Sequence, residues 1–475
     1  MSRLDRPFAA SSPGESPTVF GKYSCVSTRR VADNGCFGIT NRPTRAEEAF
    51  MPKRTSLLSM AAGCVLCVVV SWPTLAQRTT GDSEPRSLSQ SDRIKAFEKV
   101  WRIIDEDFYD PAFNGADWKG TRSRYRPRIE AAGSDDEFYS LLDEMLAELK
   151  DSHTRFHRPK VYSGKKERAT NVGLSVYPVE GSFVVVSVDG DSDAARAGVR
   201  VGMMVRAFDG KPTEERVATV QKLLRQYVGI ATDRMLTVLT AGIFFRGDAN
   251  TSVTVDFEGE DGERRAVSLT RRSKEDPPMM TAQRLDSGIG YIRFKPWVPP
   301  NDKRLREELK KLSDTFGLIV DLRGNRGGSF MTADYFLKPG TFTGSAVWRS
   351  GKVEKGYSRR SDLNYDGRLV VLVDEESGSA SENFAAVIQE SGRGLVAGRQ
   401  TCGCLTSSYY ESVKGGGRLQ WSRVLVRTLK GNKIEGVGVT PDAIVPLTLS
   451  ELRQGRDAVL EEARKLLRSQ GHSSD

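Results

Sequence analysis

The sequence predicts an α+β protein of several domains, and three features support this fold class. The chain has 475 residues, more than a single hydrophobic core usually holds, which suggests two or three units. Helical periodicity dominates after Arg93, and short alternating strands follow from residue 172 to about residue 272. Strands and helices then alternate, which is typical of a mixed or largely parallel sheet with helices packed on it.

The beginning of the chain predicts a targeting segment. Lys53 and Arg54 precede an apolar run over residues 57–72, and the small residue Ala76 suits a cleavage site. The run is shorter than the roughly 20 residues that a membrane-spanning helix needs. We therefore expect a signal peptide over residues 51–76 and an exported protein, periplasmic or secreted. An uncleaved membrane anchor is the alternative.

Residues 1–50 are rich in Ser, Gly, Pro and Arg and lack apolar periodicity, so we expect an unstructured extension. Because a signal peptide stands at the start of a protein, we expect translation to begin at Met51 and the mature chain to begin near Gln77. Detection of residues before Met51 by mass spectrometry would refute this expectation.

The composition argues against nucleic-acid, metal and disulfide-scaffold classes. The formal net charge is +9, but Lys and Arg are interspersed with Asp and Glu, so no basic stripe predicts a nucleic-acid partner. Of the cysteines, Cys402 and Cys404 alone follow the expected cleavage point, and a bond between residues two apart is strained, so they predict free thiols or a local redox pair. His153 and His157 have helical spacing, but Pro159 predicts extended chain there, so we expect no metal site.

Residues 85–165 predict a helical subdomain. Apolar residues recur at steps of three and four over residues 97–108 and again over residues 138–149. The second helix runs directly into Lys150-Asp151-Ser152-His153-Thr154. His153 is therefore expected just after a helix end.

Residues 168–272 combine a glycine-led strand with short helices and further strands. The features are Gly173-Leu174-Ser175-Val176, a short helix ending at Gly198, a strand before Asp209-Gly210, a helix over residues 217–226, and strands over residues 183–188, 235–240 and 252–257. This arrangement resembles a PDZ domain. The resemblance implies that the Gly173, Leu174, Ser175 and Val176 segment holds the carboxylate of an extended peptide that adds to the sheet. A small barrel without a ligand is the alternative.

Residues 282–448 follow a linker over residues 273–281 and predict an α/β core. The predicted elements are strands over residues 289–294, 318–322 and 369–373 and helices over residues 302–312, 331–337 and 381–389. A charged amphipathic helix over residues 449–470 is expected to close the chain.

Two turns in this core have a composition suited to catalysis. Ser379 stands where a buried strand turns sharply into a helix, so its hydroxyl would lie beside free helical N–H groups that stabilise an oxyanion. Residues 379–382 also fit a capping box, which has no catalytic meaning, and this segment alone leaves both interpretations open. Residues 324–329 form a glycine-rich turn whose amides can approach a substrate oxygen, and the Lys-Ser/Thr ending of a phosphate-binding loop is missing.

Three segments together resemble the carboxy-terminal processing peptidase family, also called tail-specific proteases. They are Leu-Arg-Gly-Asn-Arg-Gly-Gly at residues 322–328, Ser-Ala-Ser-Glu at residues 379–382 and Glu-Gly-Val-Gly-Val-Thr-Pro-Asp at residues 435–442. The resemblance covers nearly the whole chain after Arg93. It implies a helical amino-terminal subdomain, an inserted PDZ domain and a crotonase/ClpP-like α/β core with a mixed sheet. It also implies a serine endopeptidase without a cofactor.

The chain departs from this family at the position of the catalytic base. Well-known members use a Ser-Lys dyad with the lysine in a Phe-Gly-Lys-Gly stretch, and the matching residue here is Cys404. Asp151-Ser152-His153-Thr154 instead supplies a histidine where dyad members carry an aromatic residue. This is similar to the tricorn-protease branch, where a Ser-His-Ser-Glu tetrad operates and the glutamate falls near the position of Glu435.

The resemblance implies a role for each of these residues. Ser379 is the nucleophile, His153 is its general base, and Glu435 orients the histidine through the Ser152 hydroxyl. The expected oxyanion donors are the amides of Ala380 and of Gly327 or Gly328. We expect protein or peptide tails as partners, and a membrane contact only if the signal segment is retained. The alternative is an inactive peptide-binding scaffold that kept the fold and lost the lysine.

Overall fold

A computed structural model describes residues 87–159, 170–273, 279–285, 288–329 and 331–469. Within these ranges the chain is a mixed α+β protein, as the sequence predicts. The expected extension and signal peptide, residues 1–76, lie outside the described residues. None of the described helices is both long enough and apolar enough to cross a bilayer.

The first part of the described chain is helical. Its elements are α1 Gln90–Asp107, a 3₁₀ turn Phe113–Gly115, α2 Trp118–Ala131, α3 Asp135–Ala147 and the short strand β1 Arg155–His157. The serine hydroxyls of Ser89 and Ser134 cap α1 and α3 by accepting backbone N–H groups. The apolar faces of these helices share one core with Leu419 and Trp421 of a later strand. The turn that carries His153 is therefore fixed at both ends, by α3 and by β1.

The middle part of the chain is built on an antiparallel sheet. Its elements are β2 Thr170–Asn171, β3 Leu174–Val179, β4 Ser182–Val188, α4 Asp193–Arg196, β5 Met204–Phe208, β6 Lys211–Pro212, α5 Thr213–Tyr227, α6 Asp233–Ile243, β7 Ser252–Glu258, β8 Arg264–Thr270 and β9 Arg272–Ser273. The main sheet has the order β3-β4-β5-β7-β8, so β3 is an edge strand. The predicted strand over residues 235–240 is wrong, because this segment is helix α6. Thr232 caps it, and Met235 and Leu239 repeat at helical spacing.

The last part of the chain contains two sheets. Its elements are β10 Met279–Leu285, β11 Ile289–Lys295, α7 Asn301–Lys311, β12 Gly317–Asp321, β13 Phe342–Trp348, β14 Val353–Tyr357, β15 Arg368–Val373, α8 Ala380–Glu390, β16 Leu395–Gly398, β17 Thr406–Ser412, β18 Arg418–Arg427, β19 Ala443–Ile444, α9 Leu449–Arg453 and α10 Ala458–Ser469. One sheet has the order β10-β11-β12-β15-β16-β19, with β10 antiparallel and the others parallel. The predicted mixed sheet is confirmed.

Helices cover both faces of the mixed sheet. Helices α7 and α8 share one buried apolar cluster with it, and α10 packs in a second cluster on β15 and β16. The other sheet has the order β1-β18-β13-β14, with β17 also paired to β18. Strand β1 thus joins the helical part of the chain to the catalytic part.

Three predicted elements in this part need correction. Residues 331–337 form turns rather than a helix; Phe336 and Leu337 are buried there, and Pro339 follows them. The expected linker ends earlier, because Met279 already begins β10. The single helix expected over residues 449–470 is two helices, α9 and α10, separated where Gly455 adopts a positive φ of 64°.

Candidate active site

The turn between α3 and β1 carries His153. Asp151 is buried beneath it and accepts the His153 N–H at 3.1 Å and the Thr154 hydroxyl at 2.6 Å. The same carboxylate oxygen accepts the Ser422 hydroxyl of β18 at 2.6 Å. These bonds fix the backbone of the turn against the sheet, so a buried carboxylate sets the position of the histidine.

Ser152, His153 and Glu435 form a series of short hydrogen bonds. Glu435 accepts the Ser152 N–H on Oε1 at 2.9 Å and the Ser152 hydroxyl on Oε2 at 2.8 Å. Ser152 Oγ lies 2.7 Å from His153 Nδ1. Because the single hydroxyl hydrogen goes to Glu435, Oγ accepts the Nδ1–H of the imidazole. This tautomer leaves the lone pair on Nε2 free to take a proton.

The charges of these groups follow from burial. Burial and, to a smaller extent, the Arg155 guanidinium lower the pKa of His153 to about 4, so the imidazole is neutral at neutral pH. Burial raises the pKa of Glu435, and the Asp151 carboxylate adds to this rise. In the part of the chain that the structure describes, Asp151 Oδ2 has no hydrogen-bond partner, whereas both oxygens of Glu435 accept. Glu435 therefore binds a proton more readily than an ordinary glutamate does, and in its ionised form it accepts the Ser152 hydroxyl on Oε2.

Ser379 lies where β15 leads into α8, as the sequence predicts. Its φ of 54° and ψ of −114° are sparsely populated for a residue with a side chain. The ordinary N-caps Ser89 and Thr232 have extended backbones instead. The Ser379 N–H donates to Glu382 Oε2 and to the Cys404 carbonyl, both at 3.0 Å. The capping box over residues 379–382 is thus present, but the strained backbone distinguishes this serine from a simple cap.

The glycine-rich turn after β12 packs directly against this serine. A Cβ atom at Gly327 would lie 2.6 Å from Ser379 Cβ and 2.9 Å from the Ala380 nitrogen, so a side chain there is excluded. The Gly327 N–H donates to Asn325 Oδ1 at 3.0 Å. The N–H groups of Gly328 and Ala380 have no hydrogen-bond partner among the described residues. Of the two glycines predicted as alternatives, Gly328 therefore keeps an available donor.

Cys402 and Cys404 form a disulfide. Of the two states expected from the sequence, free thiols are therefore wrong, and the structure contains the local pair. The loop around it is bound to Glu382, whose buried carboxylate accepts the Thr401 hydroxyl at 2.6 Å, the Gly403 N–H at 2.7 Å and the Cys404 N–H at 2.9 Å. Burial raises the pKa of Glu382.

The predicted residues fall into two groups that meet at this loop. We call Ser152, His153 and Glu435 the base arm, and Ser379, Ala380, Gly327 and Gly328 the nucleophile arm. Gly403 O accepts the N–H of Gly436, which follows Glu435, at 2.9 Å, and the next carbonyl accepts the Ser379 N–H. The hydrogen bonds of the described residues do not include one between His153 and Ser379. The two arms are therefore neighbours that this loop links through backbone hydrogen bonds.

The predicted peptide-binding residues lie apart from both arms, on the middle sheet. Gly173 has a φ of 80°, and its N–H donates to Asn171 Oδ1 at 2.6 Å. Leu174, Ser175 and Val176 begin the edge strand β3, against which α6 packs. Helix α6 also reaches the loop between the arms, because the Thr232 hydroxyl donates to the Cys402 carbonyl at 2.6 Å and Arg234 Nε donates to the Thr401 carbonyl at 2.8 Å.

The second histidine of the helically spaced pair, His157, contacts the neighbouring strand β18. His157 lies in strand β1, and its Nε2 is 2.8 Å from Gln420 Oε1. The described residues contain no group of three or more His, Cys, Asp or Glu side chains that could hold a metal ion.

Several residues of the site were not predicted as such from the sequence. Glu382 was seen as part of a capping box, but its contacts with residues 401–404 were not foreseen. Asn325, Arg234 and Ser422 gave no separate signal, because their roles depend on contacts between distant segments.

Known proteins resemble this chain along most of its described length. Residues 288–445 match peptidase family S41, and residues 90–147 match the tricorn protease C1 domain. A carboxyl-terminal-processing protease of Synechocystis sp. is 26% identical over 404 residues, which cover 81% of this chain and 88% of that protein. The chloroplastic carboxyl-terminal-processing peptidase 2 of Arabidopsis thaliana is 28% identical over 394 residues, which cover 77% of this chain and 71% of that protein.

A solved structure shares the fold. The photosystem II D1 C-terminal processing protease superposes with a TM-score of 0.50 at 23% identity, over 74% of this chain and 93% of that chain. The family match covers the segment that contains Ser379 and Glu435, and the relatives extend the similarity to the helical and middle parts of the chain. The chain therefore contains a peptidase family S41 domain and a tricorn protease C1 domain, is similar to carboxyl-terminal-processing proteases, and is a serine peptidase.

Proposed function

We propose that this protein is an exported serine endopeptidase that cleaves unstructured or carboxy-terminal regions of proteins, with Ser379 as nucleophile and His153 as general base. The observation that carries the proposal is the hydrogen-bonded series of Glu435, Ser152 and His153, which leaves Nε2 of the imidazole available. A neutral imidazole can accept the serine proton near neutral pH, so no lysine is needed. Cys404, at the position of the family lysine, is held in a disulfide and supplies no base.

The chemistry proceeds through an acyl-enzyme. His153 Nε2 takes the hydroxyl proton while Ser379 Oγ bonds to the scissile carbonyl carbon, and the imidazolium then gives this proton to the amine as the C–N bond breaks. Glu435 stabilises the imidazolium through the Ser152 hydroxyl. In the second half, His153 takes a proton from water, the water oxygen attacks the ester, and the proton returns to Ser379 Oγ as the new carboxyl terminus leaves.

Two backbone amides are suited to hold the oxyanion. Ala380 is the first residue of α8, where N–H groups carry partial positive charge, and its N–H is not used by the described residues. Gly328 offers the second N–H on the neighbouring turn, while the Gly327 N–H is already bound to Asn325. Donors of this kind typically contribute about a hundredfold or more to turnover each.

For substrate capture, we propose that residues 168–272 form a PDZ domain. Strand β3 lies at the edge of an antiparallel sheet, and an extended tail can add to such an edge through main-chain hydrogen bonds. The Gly173, Leu174, Ser175 and Val176 segment at its start would receive the terminal carboxylate. Helix α6 packs against the same strand and therefore borders the proposed binding segment.

The proposal of export rests on residues 51–76, where basic residues precede an apolar run and a small residue. The Cys402–Cys404 disulfide supports it, because such bonds persist in oxidising compartments and are rare in the cytosol. The peptidase core is proposed to span residues 282–448, between the helical subdomain with its PDZ insertion and the carboxy-terminal helices.

A fluorophosphonate probe and an unstructured peptide test this function together. The wild-type protein should cleave the peptide and carry the probe on Ser379, and Ser379→Ala should lose both properties. Ser391→Ala, at the opposite end of α8, is the matched control and should keep both. Wild-type protein that binds a tail peptide tightly but neither cleaves it nor takes up the probe would favour the inactive scaffold instead.

A further inference from the structure

The disulfide closes a turn of three residues between the two arms of the site. Gly403, the middle residue, has a φ of 75°, and the Cα atoms of Cys402 and Cys404 lie 5.3 Å apart. Both cysteines are buried, with 8% and 7% of their surface exposed. A covalently closed turn has far fewer backbone conformations than an open one.

The closed turn directs two successive N–H groups at a single carboxylate. Gly403 donates to Glu382 Oε1 and Cys404 donates to Oε2, which also accepts the Ser379 N–H. Glu382 is fully buried, and each of its carboxylate oxygens accepts two hydrogen bonds, so a donor that the turn withdrew would remove half of the bonds to that oxygen. The conformation of the turn is thereby coupled to the backbone of the nucleophile.

The carbonyl groups of the same turn contact both arms. Gly403 O accepts the Gly436 N–H beside Glu435, and Cys404 O accepts the Ser379 N–H. The turn therefore connects the two arms through backbone hydrogen bonds.

Helix α6 covers the disulfide from the other side. Met235 forms a buried apolar cluster with Cys402 and Cys404, and the Thr232 hydroxyl binds the Cys402 carbonyl. The turn is therefore enclosed between Glu382 and α6. A change in the conformation of this turn would therefore displace Glu382 and helix α6.

We infer that the Cys402–Cys404 disulfide is a positioning element of the active site, which holds the turn that sets Ser379 against the base arm. The inference rests on the proposed function and goes beyond it, because neither sulfur touches the substrate or transfers a proton. Cys404 stands at the position where dyad enzymes carry their catalytic lysine. The proposed role of the disulfide there is to hold the turn in place and not to accept a proton.

Because the disulfide closes a very short loop, its effect on the active site can be distinguished from its effect on global stability. A disulfide that closes a very short loop removes little entropy from the unfolded chain, so its loss should shift the melting temperature only slightly. Small displacements of reacting groups are costly, and we expect kcat to fall about tenfold when the turn opens. KM should stay within about twofold, because the turn lies between the catalytic groups and not on the proposed tail-binding strand.

The experiment compares the wild-type chain with the double variant Cys402→Ser, Cys404→Ser, with and without a trialkylphosphine. The phosphine supplies two electrons that break the S–S bond, and one water molecule provides the oxygen of the phosphine oxide and the two hydrogens of the thiols. Alkylation and mass spectrometry count the two thiols. The reduced wild type and the double variant should both show the tenfold lower kcat, and reoxidation should restore only the wild type. The double variant should not respond to the phosphine.

A second readout does not depend on activity. Hydrogen exchange of the backbone amides in residues 376–386 and 399–406 should become at least about tenfold faster in the double variant, while α1 and α10 stay protected. Wild-type kcat and unchanged exchange in the double variant would overturn the inference. If Ser379→Ala and His153→Ala retain activity in the same assay, the proposed function fails, and the exchange data still decide the role of the disulfide.

Discussion

The nucleophile arm and the base arm are built in different ways. The nucleophile arm comes from the carboxyl ends of β12 and β15, which are adjacent and parallel, so the topology of one sheet brings its residues together. The base arm joins Ser152 to Glu435 across a sequence separation of 283 residues, and it requires the helical part of the chain to dock on β18. The first arm is therefore set by local structure and the second by packing between distant segments, which makes the base arm the easier one to displace.

The largest loss of activity is expected when the nucleophile or its general base is removed, because the two residues act together. Ser379→Ala and His153→Ala should each lower kcat by on the order of a thousandfold or more, and the double variant should be little worse than either one. Steady-state kinetics on an unstructured peptide measures all three. Losses that multiply, or a mild loss for His153→Ala, would mean that the two residues work independently.

A smaller effect is expected within the base arm. Glu435→Gln keeps an oxygen that can accept the Ser152 hydroxyl but removes the charge that stabilises the imidazolium, so we expect kcat to fall about a hundredfold with a small change in KM. Ser152→Ala should cost a similar factor, and the pair should not be additive. Glu354→Gln, on the exposed strand β14, is the control and should match the wild type. Full activity of Glu435→Gln would remove this residue from the site.

The pH dependence should report Glu435 and not His153. The pKa of His153 is lowered to about 4, so the imidazole is already neutral above that pH. Burial and Asp151 raise the pKa of Glu435, so kcat/KM should rise with pH through a limb above the range of an ordinary glutamate. Glu435→Gln should abolish this limb.

The same raised pKa has a consequence for stability. Folded protein binds the proton of Glu435 more tightly than unfolded protein does, so the free energy of unfolding should fall as the pH rises from the ordinary glutamate range through the raised pKa. Urea unfolding at several pH values measures this fall, and Glu435→Gln should flatten it. If the free energy of unfolding of Glu435→Gln falls with pH as steeply as that of the wild type, another group is responsible for the titration.

The smallest effect concerns the contact between α6 and the turn that joins the arms. Arg234 donates to the carbonyls of Thr401 and Val437, so Arg234→Ala should loosen both segments and lower kcat a few-fold. Arg225→Ala removes an exposed ion pair with Asp233 near the same helix and should have no effect, because exposed pairs contribute little. If Arg234→Ala keeps the wild-type kcat, as Arg225→Ala is expected to do, α6 does not influence the site.

The contrast between the arms also explains what the sequence could predict. The strand, sharp turn and helix around Ser379 were predictable, because alternating β and α segments place such turns at one edge of a parallel sheet. His153, Ser152 and Glu435 were grouped only through the resemblance to a known family, since no local pattern links residues so far apart. Their hydrogen bonds in the structure agree with that grouping.

The features that sequence patterns missed depend on tertiary contacts. The segment over residues 235–240 is apolar and rich in β-branched residues, which favours a strand by propensity, but a Thr232 cap and packing against α5 make it helical. The sequence left free thiols or a local pair open for Cys402 and Cys404, and it gave no sign of the surroundings of the disulfide, because Glu382 and Met235 come from other elements.

One crystal structure would test the central claim most directly, that of the protein with a peptide boronate bound covalently to Ser379. If His153 activates this serine, the arms should close so that His153 Nε2 lies within about 2.6–3.2 Å of Ser379 Oγ or of a boronate oxygen. Gly328 and Ala380 should donate their N–H groups to the other boronate oxygen. An imidazole that stays out of hydrogen-bond range, with Ser152 and Glu435 still engaged, would contradict the account.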